Sequence, residues 1–562
     1  MKYYKFKHIA LLLSIASTPL FTACDFMEIS ESDYYSKEQI LSNMTRVRDL
    51  ATQVYSYLPH DFNNTSGAMQ DAATDDAIHV YESSAIQRFV NGTWSPNYTI
   101  NDVFGNYYNA IHDANFYLNN CVGLTFDNWQ YSDNFADDYK SYLNYEHEVR
   151  FLRAFYYFEL VKRYQNIPLV TKELTQEEAN NAEPVNAATI LNFIITECTD
   201  LADNKLPVNY DKMPGTAGNL QRATKGMALA LKSRASLYLA SPLYSADDSQ
   251  KWKNAAQAAY DIISQANTLG YSLDASYANL FGSKNNQSKE VIMCRPNGNN
   301  YGFETSNFPM GYVGAKTSTC PTENLVSAYE MTDGKSFDWN NPTMAANPYA
   351  NRDARLALTV AYNGMTWPKA ALEVFEGGKN GLPIMNATTT GYYLKKYLNT
   401  STINTDGNIN VNQQHNWILF RYAEILLNYA EAMVNAYGDP DAKGDYTLSA
   451  RDAVNQVRNR TGVKMPAFPT GMSKTDFLKR LKNERRVEFA FEGQRFWDLR
   501  RWKELNDMKD IYKVRVIKEN GTVKYTKELL NTYTISDKMY FYPFPNTELY
   551  KNHNLKQNPG WE

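Results

Sequence analysis

Apolar positions along most of this chain recur at helical rather than strand spacing. Val47, Leu50, Val54 and Leu58 fall on one stripe, and Phe104, Tyr107, Ile111, Ala114 and Leu118 on another. Steps of three and four residues place such side chains on one face of a helix. A longer stripe of Tyr145, Val149, Leu152, Tyr156 and Leu160 predicts a helix over 138–165, and a further helix follows over 187–202. Two later segments come as pairs, 222–241 ahead of 251–267 and 418–437 ahead of 447–460. In each pair a helix with small residues among large ones precedes an alanine-rich partner. Small residues let two helices approach closely, and a repeated helix–turn–helix of about 34 residues is the tetratricopeptide (TPR) unit. Pairing 41–58 with 101–120, and 138–165 with 187–202, completes four units. The predicted fold is mainly α, with four TPR-like helix pairs forming a right-handed superhelical scaffold beside a loop-rich region containing short strands.

Residues 270–412 break the helical pattern. They are rich in Gly, Asn, Pro and Thr, with short aromatic segments at 301–314 and 391–398. The tail 504–562 is similar and holds one clear hairpin signal, Asn520–Gly521 between the alternating stretches of 514–526. The helical scaffold, with a C-terminal signature helix, is therefore assigned to 41–269 and 413–503. The loop-rich ligand side is assigned to 270–412 and 504–562.

The N-terminus has a different anatomy. Lys2, Lys5 and Lys7 precede the apolar run Ile9–Ile15 and then LFTAC at residues 20–24, the layout of a secretory signal peptide. The apolar run falls short of the roughly 20 residues needed to cross a bilayer. Cleavage before Cys24 resembles the lipobox of bacterial lipoproteins, which implies a signal peptide over 1–23, an acylated Cys24 and a tether over 24–40. An ordinary signal peptide with a chance cysteine is the alternative.

Composition narrows the function. Net charge is −4 over 562 residues, which argues against nucleic acid as the main partner. Cys121, Cys198, Cys294 and Cys320 are widely spaced without a CxxC, so a disulfide after export is open and a metal cluster is not expected. Neither HExxH, a Walker loop nor a GxSxG elbow is present, and no cofactor, metal or catalytic residue is assigned. GDPDAKGDY at 438–446 begins like a calcium loop but has Lys443 at the fifth position and Ala450 at the twelfth. It reads as the turn inside the last helix pair. The conspicuous bias is aromatic, with 42 Tyr, 26 Phe and 9 Trp.

A flat ring with a polar handle suits sugar, which offers C–H groups on one face and hydroxyls at its edge. The stretch RFVNGTWSPNY at 88–98 supplies Trp94 and Tyr98 with Arg88, Asn91 and Asn97 beside them. Gly92 and Pro96 are turn residues that can hold Trp94 out of the core; the alternative packs Trp94 over the helix ends. On the first reading, Trp94→Ala removes binding and leaves the fold intact. A second platform is assigned to Tyr301, Phe303 and Tyr312, or to Trp339. Asp75 and Asp76, just before this loop, either bond sugar hydroxyls or cap a turn. In 483–503, charges alternate in sign at helical spacings, which predicts ion pairs that cement the fold rather than a catalytic site.

Four segments carry a family resemblance: HEVRFLRAFYYFELVKRYQNIPLV (147–170), WILFRYAEILLNYAEAMVNA (417–436), NERRVEFAFEGQRFWDLRRWK (483–503) and YPFPNTELYKNHNLKQNPGW (542–561). Together with the lipobox they resemble the SusD/RagB family. The resemblance implies an outer-membrane lipoprotein of the Bacteroidetes facing the extracellular side, with eight helices in four TPR units. It implies capture of oligosaccharide and delivery to a SusC-like TonB-dependent transporter, without catalysis. Loop 88–98 lies where SusD-like proteins carry an aromatic and an Asn for glycan. The rival readings are a peptide-capturing RagB-like member, a surface glycoside hydrolase, and a TPR protein whose only ligand is another protein.

Overall fold

The computed structural model describes residues 35–210 and 221–562; Cys24 and the leader ahead of it lie outside the described residues. The chain is mainly helical. Its long helices are α1 (Met44–Tyr55), α2 (Phe104–Asn120), α3 (Phe135–Tyr164), α4 (Ala187–Ala202), α5 (Lys225–Ala240), α6 (Ser249–Ile263), α7 (Tyr422–Tyr437) and α8 (Ala450–Arg458). They pack as the pairs α1/α2, α3/α4, α5/α6 and α7/α8, and each pair stacks on the next through α2–α3, α4–α5 and α6–α7. Their starts are set locally. Asn43, Asn186, Thr224 and Ser449 each accept a hydrogen bond from a backbone N–H in the first turn, satisfying donors that a helix start leaves open. Helix α5 is buried on all sides, with Ala228, Leu229, Ala230 and Leu231 in succession in the core, as its place between α4 and α6 requires.

Two expectations change. Segment 483–503, expected as one signature helix, is broken at Phe489–Gly493 into the helices Lys474–Glu488 and Gln494–Arg501. The start of the 418–437 helix also moves. Residues 418–421 are strand, not helix. The three main antiparallel pairs are β1 (Ala77–His79) with β3 (Thr319–Pro321), β2 (Val291–Asn300) with β4 (Gln413–Arg421), and β5 (Asp510–Glu519) with β6 (Thr522–Thr532). A short apolar run such as Ile418–Phe420 reads equally as strand or helix until its partner is known, and that partner, Met293–Cys294, lies over 120 residues earlier. The β5–β6 turn is Asn520–Gly521, with φ of 50° and 81°, the left-handed pair that a tight two-residue hairpin needs.

Beyond α8, the chain forms α9 (Lys474–Glu488) and α10 (Gln494–Arg501). These hold the helical layers to the loop-rich region through a buried seam of charge. Glu488 meets Arg355 at 2.7 Å, Arg421 at 2.7 Å and Arg460 at 3.0 Å. Glu484 pairs with Arg355 and Arg458, and Glu492 with Arg421 and Lys396. Burial pushes the Glu488 carboxyl up, but Arg460, Arg421 and Arg355 outweigh it and hold it below the usual range. The alternating charges of 483–503 are therefore cement. The four cysteines among the described residues are buried free thiols.

Candidate functional site

Loop 88–98 follows a short 3-10 turn at Ala85–Phe89 and is fixed from both sides. Thr534 N–H donates to Val90 O at 2.8 Å. Asn91 accepts from Thr93 N–H at 3.0 Å and from its hydroxyl at 2.6 Å. Gly92 turns the chain at φ +81°, with Thr534 Cγ2 3.2 Å from where a Cβ would stand. Tyr98 N–H then closes on Ser95 O at 3.0 Å, and the side-chain amide of Asn546 donates to Asn97 Oδ1 at 2.7 Å.

The turn directs Trp94 inward. It is 2% exposed, with ring centroids 4.8 Å from Phe89, 4.8 Å from Tyr542 and 4.9 Å from Trp561, all edge-on. Trp94 is thus not the expected outward platform; it anchors the loop to the C-terminal segment. The cause is the aromatic nest built by Tyr542 and Trp561, which removes a large apolar area from water. Those rings lie more than 440 residues away in sequence, beyond the reach of local pattern.

Tyr98 is the ring that faces out, at 61% exposure. The Arg88 guanidinium lies over it, 5.4 Å from the centroid, and has no ion-pair or hydrogen-bond partner among the described residues. Asn91 and Asn97 are exposed on the same loop. One loop therefore presents an open π face, a cation and two amides, which can stack on a sugar ring and bond its hydroxyls.

The other sequence candidates lie apart. Tyr301 is 38% exposed at the start of a short helix, Gly302–Asn307; Phe303 beside it is in the core, stacked on Phe62 at 4.0 Å. Tyr312 is half-buried, and its hydroxyl accepts from Lys369 N–H at 3.2 Å. Trp339 is half-buried, its indole N–H donating to Glu323 at 2.8 Å and its ring edge-on to Phe337 at 5.3 Å. Among the described residues, no hydrogen bond, ion pair or ring contact joins any of these to loop 88–98. Asp75 and Asp76 neither reach the surface nor cap a turn. Both are buried against Arg486, at 2.9 and 2.6 Å, and Asp75 also meets Arg495 at 3.0 Å.

Exposed rings outside the sequence candidates include Tyr35, Tyr131 and Tyr550, of which Tyr550 is connected to Asn97 through Asn546. Tyr550, 75% exposed, sits one turn beyond Asn546 on the helix Asn546–Lys551. The i, i+4 spacing from a turn-forming NTELY was its available signal.

Known proteins resemble the chain along most of its length. A SusD-like protein of Formosa agariphila is 20% identical over 87% of this chain and 88% of its own length. The solved structure of a SusD-like protein from Bacteroides fragilis superposes with a TM-score of 0.75 at 24% identity, covering 93% of this chain and 98% of the other. A second B. fragilis structure, of a SusD-like carbohydrate-binding protein, gives 0.72 at 24% identity over 92% and 100%. The sequence profile of the SusD family matches residues 259–561, more than half of the chain, and the chain belongs to that family.

Proposed function

We propose that this chain is a cell-surface lipoprotein that captures oligosaccharide on loop 88–98 and delivers it to a partner TonB-dependent transporter of the SusC type. Cys24 carries the lipid that holds it on the outer face of the outer membrane. Tyr98 provides the stacking surface, Arg88 fixes the ring and bonds hydroxyls, and Asn91 and Asn97 read the sugar edge. Tyr301, Tyr312 and Trp339 serve as outlying contacts for longer chains. The observation that carries this reading is an exposed Tyr98 under an Arg88 unpaired among the described residues, on a loop tied through the Val90 carbonyl and the side chains of Asn91 and Asn97. Preorganisation of this kind lowers the ordering cost of binding. The proposed role is binding without cleavage; the carboxylates of 483–503 are buried against arginines and are not assigned as catalytic groups. The shared fold of a SusD-like carbohydrate-binding protein supports the same reading.

Affinity electrophoresis through gels containing α-glucan, β-glucan, xylan, mannan or galactan tests it. Retardation by one polymer, lost in Tyr98→Ala, is the expected outcome. Equal retardation of wild type and Tyr98→Ala overturns the loop assignment. Release of reducing ends from any polymer transfers the chain to the glycoside hydrolases, and binding of peptides alone transfers it to the peptide-capturing members.

A further inference from the structure

Beside the loop lies a cleft of about 410 Å³ between α2, the segment 168–182 and the C-terminal residues 548–555, within the size range of small-ligand sites, roughly 300–1,000 Å³. Its floor is apolar, made by Phe104, Tyr108, Val170 and Leu555. The lysines on its rim already have counterions, Lys551 with Glu548 at 2.7 Å and Lys172 with Glu178 at 3.4 Å, and the His112 ring contacts Asp113 at 3.4 Å. Asn115 and Asn552 give their amides to backbone carbonyls. Asn109 and Asn180, also on the wall, have side-chain amides without a partner among the described residues. A charged ligand would meet no uncompensated charge here. A neutral one with an apolar face and hydroxyl edges would meet both an apolar floor and free amides.

Gly105 is the position from which the cleft can be probed. It stands in the first turn of α2 and lines the cleft. Its φ is not in the left-handed region, and a Cβ added to it would meet nothing within 4 Å. Neither backbone conformation nor close packing demands glycine, which helices disfavour. A large side chain placed there enters the cleft without a clash at its Cβ.

The geometry points to this cleft as a second sugar subsite for neutral pyranose units of the chain that Tyr98 holds, an inference that rests on the glycan-binding reading above. The helix Asn546–Lys551 is common to both places. Asn546 fastens Asn97, Glu548 and Lys551 wall the cleft, and the exposed Tyr550 lies one turn beyond Asn546 on the same helix.

The test uses plugs. Gly105→Phe fills the cleft from α2 and Ala179→Trp, at an exposed position, fills it from the opposite wall, while Gly105→Ala adds a single methyl as control. Calorimetric titration of each variant uses oligosaccharides of two to eight units cut from whichever polymer retards the wild type. Both plugs are expected to weaken binding of the longer oligosaccharides about tenfold and to leave the shortest binder unchanged. Gly105→Ala should match wild type at every length. If Tyr98→Ala abolishes binding while either plug keeps the wild-type dependence on length, the cleft is not a subsite and the loop assignment stands. If the wild type binds none of the polymers, both readings fall.

Discussion

Arg421 and Arg88 each lie against an aromatic ring, Phe489 at 4.5 Å and Tyr98 at 5.4 Å. There the likeness ends. Arg421 is 1% exposed, and Glu290, Glu488, Glu492 and the carbonyl of Glu488 take up all its donors. Arg88 is half-buried and its guanidinium is unpaired. A saturated, dry guanidinium has nothing left to offer a ligand and serves only to hold segments together. An unsaturated, wetted one over an open ring adds little to stability and keeps its donors for something outside the chain. The seam around Glu488 and the loop around Tyr98 thus use similar side chains for opposite ends, and what separates them is hydrogen-bond saturation rather than residue type.

Substitution can break this contrast, and the largest effect belongs to the seam. Arg421→Ala leaves three carboxylates short of a buried cation and is expected to cost about 3–5 kcal/mol of stability, read by denaturant unfolding. A variant as stable as wild type would show that the seam does not cement the fold. Trp94→Ala, although it sits in the binding loop, belongs with the seam in this respect. It should lose about 3–5 kcal/mol by truncating a core ring, with Trp94→Phe recovering part of the loss. Unchanged stability with lost binding would return Trp94 to the platform role that the structure denies it.

A smaller effect depends on pH. Burial and the neighbouring Asp76 push Asp71 up to about 7, against the pull of Lys396 and the Phe491 N–H. A carboxyl raised in the folded state binds more protons there than when unfolded, so its contribution to stability falls as pH rises between about 4 and 7. Asp71→Asn keeps the acceptor for Phe491 N–H. It should be more stable than wild type by a few kcal/mol at pH 8 and no more stable at pH 4, measured by thermal unfolding at both. An equal gain at both pH values would sink this account. The smallest stability effect is at the loop surface. Tyr98→Ala should stay within about 0.5 kcal/mol of wild type while losing roughly tenfold or more in glycan affinity.

Much of the fold was legible because helices announce themselves within a few turns. The stripes at Val47–Leu58 and Tyr145–Leu160 marked α1 and α3, and small residues marked the later pairs. Ile418–Phe420 was not legible, because a buried strand's identity depends on its partner. The site was harder for the same reason. Arg88, Asn91, Asn97 and Tyr98 share one loop, so their neighbourhood could be read locally. Which of Trp94 and Tyr98 faces water was decided by Tyr542 and Trp561, and no local spacing carries that information. Asp75 and Asp76 were misjudged likewise, their arginines arriving more than 400 residues later.

That lateness has a consequence for how the chain comes together. Arg355, Arg421, Arg458 and Arg460 precede the glutamates at 484 and 488 that neutralise them. A fragment ending short of residue 484 would keep Asp353, Glu290 and Glu330 beside these guanidinium groups but lose the share of their compensation that Glu484 and Glu488 supply, leaving buried positive charge in excess. The arrangement around these arginines is therefore completed only when α9 docks. Closure of the seam thus depends on contacts of very long sequence separation, which form slowly.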